Sequence, residues 1–165
     1  VLSDADVTWL SELPYTLTIP GVYLQQPADI IIVHAGLIPN IPLHAQTIPT
    51  MITLRDLIPV RNTTTTTTRN RHSNIIVYEM YKKKTKTDHE DHHAEGPHPQ
   101  AWATTWPGPQ HVIFGHDAKR GLQTQNSPLA LGLDTGAVYG HALTGVLLPA
   151  RTLVTIPAQH VYCPI

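Results

Sequence analysis

The chain has 165 residues, a formal net charge of −1 and a single cysteine, Cys163. This length suits one domain, the near-neutral charge provides no global field to draw in nucleic acid, and one thiol excludes both an internal disulfide and a cysteine-rich zinc site. No apolar run approaches the ~20 residues of a membrane span, and because the sequence opens Val1-Leu2-Ser3 without an initiator methionine, an upstream targeting segment or membrane anchor stays open.

Residues 3–13 read as a short helix. Ser3 can cap it, Asp4 and Asp6 suit its positive end, Trp9, Leu10 and Leu13 form an apolar side, and Pro14 stops it. Residues 15–19 alternate and are rich in strand formers, with Pro20-Gly21 as terminator. The β-branched run at 30–33 reads as a buried strand that delivers His34. A loop follows at 38–42. Residues 43–57 carry a helical stripe in Ile48, Met51 or Ile52, and Leu54 or Ile58, but Pro49 conflicts with a continuous helix, which is expected to be short or broken there.

From about residue 60 to 99 the character changes. A threonine homopolymer fills 63–68, and Lys82-Lys83-Lys84 and Asp88-His89-Glu90-Asp91-His92-His93 are blocks of polar charge. Residues 75–78 are suited to one strand; the rest lacks the apolar content to offset the entropy of ordering it. The reading is a surface insertion, partly mobile, between core elements. Its acidic and histidine cluster, with His98, reads as a solvated charge run rather than a zinc site.

Residues 100–106 read as a helical turn with Trp102 and Trp106 on one side, ended by Pro107-Gly108-Pro109. His111-Val112-Ile113-Phe114 is a short buried strand that ends in Gly115-His116, followed by Lys119-Arg120 and Gly121. Residues 131–140 form a third strand end, with three glycines around Asp134. Residues 143–148 and 151–156 suit a closing hairpin with Pro149-Ala150 at its turn, and residues 160–162 suit an edge extension.

Strand ends on a rigid sheet are where binding groups are commonly held, and two runs here end in a histidine. Neutral imidazole ligates zinc, iron and similar metals; lysine and arginine are good phosphate partners. Together they suggest a phosphate-handling metal site. Lys119 and Arg120 could hold substrate phosphates or be solvated loop charges. Asp134 could set the tautomer of a ligand histidine or make only an Asx turn. Tyr139 could line a pocket or pack, Asp117 could orient water beside the histidine but reads rather as a turn residue, and His141 is given no role.

Four segments, V-H-A-G-L-I-P from Val33, F-G-H-D-A-K-R-G-L-Q from Phe114, L-G-L-D-T-G-A-V-Y-G from Leu131 and A-L-T-G-V-L-L-P from Ala142, are as a set similar to the calcineurin-like metallophosphoesterases. The nearest resemblance is to the ApaH-like group, which takes in bis(5'-nucleosyl)-tetraphosphatases, fungal vacuolar endopolyphosphatases and relatives of the serine/threonine phosphatases. The resemblance implies an α/β fold, a two-sheet sandwich flanked by helices, of which residues 1–165 would be the C-terminal part. It implies a binuclear centre of manganese, zinc or iron, in-line attack on a phosphoric ester or anhydride by activated water, and His34 and His116 as ligands of the second metal.

The family's first-half motifs, an Asp-x-His at a strand end, a Gly-Asp and a Gly-Asn-His, are missing. No Gly-Asp or Asn-His pair occurs, and the one Asp-x-His, at Asp91 and His93, lies in the charged insertion and reads as a decoy. The alternative to an incomplete hydrolase is therefore a non-catalytic, truncated or degenerate phosphatase-like binding module. A dinucleoside polyphosphate or other phosphorylated small molecule, inorganic polyphosphate and a phosphoprotein all stay open as substrate; nucleic acid is not expected. The compartment would be cytoplasmic or, for an endopolyphosphatase relative, vacuolar.

Overall fold

The structure, a computed structural model, describes residues 2–60, 77–81, 98–124 and 129–164. In chain order the elements are α1 (Asp4–Ser11), β1 (Thr16–Ile19), β2 (Ile30–Val33), α2 (Ile48–Thr53), β3 (Asp56–Val60), β4 (Val77–Met80), β5 (Gln100–Ala101), β6 (His111–Phe114), β7 (Ala130–Gly132), β8 (Ala142–Leu147) and β9 (Thr152–Pro157). Single 3-10 turns lie at Gly21–Leu24, Leu43–Ala45, Trp102–Thr105 and Ala137–Tyr139.

The sheet that matters for the site has the order β1-β2-β6-β7. β2, β6 and β7 run parallel, and β1 closes one edge antiparallel to β2. Strands buried on both faces read as continuous apolar runs, and these do. Ile31 and Val33 of β2 and Val112 and Phe114 of β6 point into one cluster with Met51, Leu54, Leu57 and Trp102. Ile30, Ile113 and Leu131 point the other way, against Ile19, Leu24, Val146 and Leu148. Burying a side chain of this size stabilises the fold by about 1.5–3 kcal/mol. Any slip of register would turn one face's set into the other, so the ladder is held in place from both sides.

A second sheet, β4-β3-β5, and the hairpin β8-β9 complete the described strands. The hairpin forms where the sequence suggested, with Ala142 opposite Pro157 and Leu147 opposite Thr152. β4 lies inside the expected insertion, and its Tyr78 and Met80 pack against the larger core cluster.

Several local expectations need correction. The helix at Pro49 is short, as expected, rather than broken: Pro49 occupies the first turn of the six-residue α2, which Thr47 caps, and there its missing N–H leaves no internal bond unmade. The helical reading of residues 43–57 fails at its end, because residues 56–60 are strand β3. α1 has the expected cap, a reciprocal box between Ser3 and Asp6, but no buried residue: Trp9 stays 61% exposed. Residues 160–162 add no strand. Instead the Tyr162 and Cys163 N–H groups both donate to the Val138 carbonyl at 2.9 Å. The threonine run and the Asp91/His93 pair lie outside the described residues. Among the described residues no helix is long and apolar enough to cross a membrane.

Candidate functional site

Three parallel strands end side by side, and each hands over a polar residue at its carboxyl end. β2 gives His34, β6 gives Gly115-His116, and β7 gives Leu133-Asp134. The parallel ladder runs on one step past the strands: the Gly115 N–H donates to the His34 carbonyl and the Leu133 N–H to the Phe114 carbonyl, both at 2.9 Å. The carboxyl edge of a parallel sheet is the usual place for ligands in open α/β folds.

The backbone after His34 is pinned. The Ala35 N–H donates to the Met51 carbonyl (2.8 Å), and the Ala35 carbonyl accepts from the indole N–H of buried Trp102 (3.0 Å). Gly36 lies against the same indole so closely that a Cβ there would come within 2.5 Å of its nitrogen. His116 is pinned differently. Its φ of 66° is in the left-handed region, an arrangement that costs a non-glycine residue on the order of 1 kcal/mol and is met most often at functional sites.

The two imidazoles meet, although 82 positions separate them. His34 Nε2 and His116 Nδ1 are 3.1 Å apart, and the ring centroids are 4.9 Å apart with the planes tilted by 57°. Two bonds of about 2.1 Å that meet at roughly a right angle on one ion span about 3 Å, so the spacing fits two ligands on a single cation. The remaining ring nitrogen of His116, Nε2, is buried with no hydrogen-bond partner among the described residues. Burial above all, then the positive charge of Arg55 and the neighbouring His34, holds the His116 pKa below its ordinary value, while Asp117 and Asp134 pull the other way. The ring therefore stays neutral, the form that ligates metal. Among the described residues no group of three or more potential ligands gathers, so the donor set here is two imidazoles.

The other expected site residues fall as follows. Asp134 lines the same hollow as the two histidines, and it accepts from the Gly136 N–H at 3.1 Å, an Asx turn. Lys119 is exposed on the rim. Arg120 is engaged: it binds the Asp117 carboxylate and, at 2.6 Å, Asp56. Asp117 is far more than a turn residue. It is 5% exposed, takes the bond from Arg120, lies 3.4 Å from the Gln123 amide and 3.9 Å from Arg55 Nε.

Sequence reasoning missed Arg55 and Asp56. The pair sits between Leu54 and Leu57, which are 1% and 0% exposed, and two adjacent charges fixed between two core leucines were the available signal. A cleft of about 1160 Å³ runs from the histidine pair past Arg55, Asp56 and Lys119 to Tyr139 and His141. His141, given no role from sequence, is thus on its wall.

No family model matches the sequence. The asymmetrical bis(5'-nucleosyl)-tetraphosphatase PrpE of Bacillus cereus strain Q1 is 32% identical over 73 residues, 44% of this chain and 29% of the relative. PrpE of strain ATCC 10987 is 33% identical over the same length, and that of Bacillus thuringiensis subsp. konkukian is 32% identical. The chain thus spans under a third of the length of these curated relatives. A crystal structure whose protein is provisionally named a diadenosine tetraphosphatase superposes with a TM-score of 0.67 at 31% identity, over 96% of this chain and 56% of the other. By these matches the chain is similar to bis(5'-nucleosyl)-tetraphosphatases of the ApaH-like kind over part of its length, and it shares the calcineurin-like fold of its structural neighbour.

Proposed function

We propose that this chain supplies the second-metal imidazoles and part of the substrate cleft of a metal-dependent hydrolase of phosphoric anhydrides, with a dinucleoside polyphosphate as the leading substrate class. The observation that carries the reading is the pair His34 Nε2 and His116 Nδ1, 3.1 Å apart at the carboxyl edge of a parallel sheet. The names of the relatives support the substrate class.

His34 and His116 would hold the ion. When bound, manganese, zinc or iron supplies Lewis-acid polarisation of phosphoryl oxygens and lowers the pKa of water. The chain's own contributions are positional. Trp102, Gly36 and Gly115 fix the His34 loop, and burial keeps His116 unprotonated. Asp134 would stand beside the ligand ring of His116, where its charge opposes the effect of burial. Lys119 and Arg120 place positive charge at the cleft rim, where an anionic substrate enters.

Two neutral ligands bind an ion weakly and leave its other positions to groups outside the pair. The 165-residue chain by itself is therefore expected to bind manganese or zinc through His34 and His116 yet to turn over no phosphate ester at an enzymatic rate. The test is calorimetry with Mn²⁺ and Zn²⁺ on the chain and on His34→Ala and His116→Ala, next to an assay with diadenosine tetraphosphate and a generic phosphate ester. Metal affinity that is unchanged in both variants would overturn the site. Turnover that disappears with His116→Ala would show that ligands beyond the pair complete the centre within this chain.

A further inference from the structure

The strand pair β3-β4 has two faces. Leu57 of β3 stands opposite Met80 of β4. Both belong to the larger core cluster, as does Tyr78 two positions back along β4. Side chains alternate along a strand, and residues directly opposite across an antiparallel pair point the same way. The neighbouring pair, Asp56 and Tyr81, therefore faces away from that core. The ladder runs on to reach it: the Tyr81 N–H donates to the Asp56 carbonyl at 2.9 Å. On that side is the cleft, and both residues line it.

The two differ in what holds them. Asp56 is bound to Arg120 at 2.6 Å. The main chain of Tyr81 is fixed by the ladder, but the residue is 36% exposed and its ring is open to the cleft. Tyr139, the other tyrosine on the wall, is half-buried in the turn Ala137–Tyr139.

The cleft has room for more than a phosphate chain. Its volume is about 1160 Å³, whereas about 300–1,000 Å³ holds a drug-sized organic ligand. Lys119 and the two histidines suit the polar end of such a ligand; Tyr81, Val138 and Tyr139 suit an organic end. Every nucleobase has a π-face, and stacking it on an aromatic side chain holds the base without reading its edges.

We propose that Tyr81 holds the nucleoside end of the substrate by stacking its ring on a nucleobase, with the phosphates toward His34 and His116. This rests on the functional reading above for the class of substrate. It also separates two compounds that the sequence left open, because a nucleotide gains from this ring and inorganic polyphosphate does not.

The probes are ATP and inorganic tripolyphosphate, which share a triphosphate and differ in the nucleoside. Each is titrated by calorimetry into the full 165-residue chain in metal-free buffer. ATP is expected to bind more tightly than tripolyphosphate. Tyr81→Ala is expected to weaken ATP by about fivefold or more and to leave tripolyphosphate within about twofold. Tyr81→Phe keeps the ring and should hold ATP within about twofold of wild type. Where Tyr81→Ala does not fold, Tyr81→Leu keeps the bulk without the π-face and carries the same expectation. Tyr23→Ala, at a residue 79% exposed and outside the cleft lining, is the control substitution. An ATP affinity within about twofold of wild type in a folded Tyr81→Ala or Tyr81→Leu chain overturns the inference. So does a Tyr81→Phe chain as weak as the alanine variant, or an equal loss of ATP and tripolyphosphate. Tripolyphosphate bound as tightly as ATP by the wild type overturns it too, and leaves the phosphoric anhydride reading standing. A chain that binds neither compound strikes that reading and this inference together.

Discussion

The parallel strands β2, β6 and β7 and the hairpin β8-β9 are made of similar residues put to different ends. Val112 is 0% exposed and Ile30 4%, with core on both sides. On the hairpin, Leu143 is 65% and Ile156 60% exposed, and every residue of β9 is on the surface. β8 turns Thr144 inward, where its hydroxyl meets those of Thr135 and Thr155 at 2.8 and 3.0 Å. The hairpin is held by its own ladder, one polar seam and the contact of Val146 with the smaller core cluster; the parallel strands are held by two hydrophobic layers. The two histidines stand at the ends of the second kind of strand. A pair of ring nitrogens kept 3.1 Å apart needs a base that does not shift, and a sheet filled on both faces provides it.

The largest effect should come from the layer beneath His34. Trp102 is 2% exposed, stacks edge-on against Phe114 with centroids 4.7 Å apart, and donates to the Ala35 carbonyl. Trp102→Ala removes the ring and leaves that carbonyl without its partner. A loss of about 3–5 kcal/mol in urea unfolding is expected, together with weaker manganese binding by the chain. A loss below about 1 kcal/mol would mean that the parallel sheet is not the rigid half of the molecule.

A smaller effect is expected at His116. The folded pKa of His116 lies below its ordinary value, chiefly through burial. The unfolded chain, with a pKa of about 6.5, therefore takes up a proton at a pH where the folded chain does not. The stability tied to neutral His116 is fully present above about pH 6.5 and is lost as pH falls through that value toward the folded pKa. His116→Asn removes the titration, and asparagine tolerates the positive φ. In metal-free buffer the wild-type chain should lose stability between pH 7 and 5 more steeply than this variant. Parallel slopes would show that His116 is not desolvated.

The histidine pair was legible in the sequence because its grammar is local: an apolar run that ends in a histidine, with a glycine just before it at His116 and two positions after it at His34. The hairpin was legible for the same reason, from two strand-forming runs around Pro149-Ala150. Strand β3 was not, because Leu54, Ile58 and the residues before them also fit a helical stripe, and Pro59 argues against a strand. The structure accommodates Pro59 because β5 pairs only with Asp56 and Leu57, which leaves one side of the strand open further on, where a missing N–H is tolerated. Arg55 and the role of Asp117 were hidden for another reason. Their partners are at long range, 61 positions for the Arg55 bond to the His116 carbonyl, and a contact of that separation leaves no spacing to read.

The smallest effect is predicted for the outer face of the hairpin. Leu143 and Leu147 alternate with inward-facing Ala142, Thr144 and Val146, and Ile156, opposite Leu143, is equally exposed. Substituting an exposed side chain removes little buried area, so Leu143→Ser and Ile156→Thr should each change the unfolding free energy by no more than about 0.5 kcal/mol. Threonine at 156 also keeps the β-branch that suits a strand. The measurement is urea unfolding at two protein concentrations tenfold apart. A loss above about 2 kcal/mol, or a midpoint that moves with concentration only in the wild type, would show that another surface covers this face. The contrast with the parallel strands would then be between two kinds of buried sheet, one packed within the chain and one packed between chains.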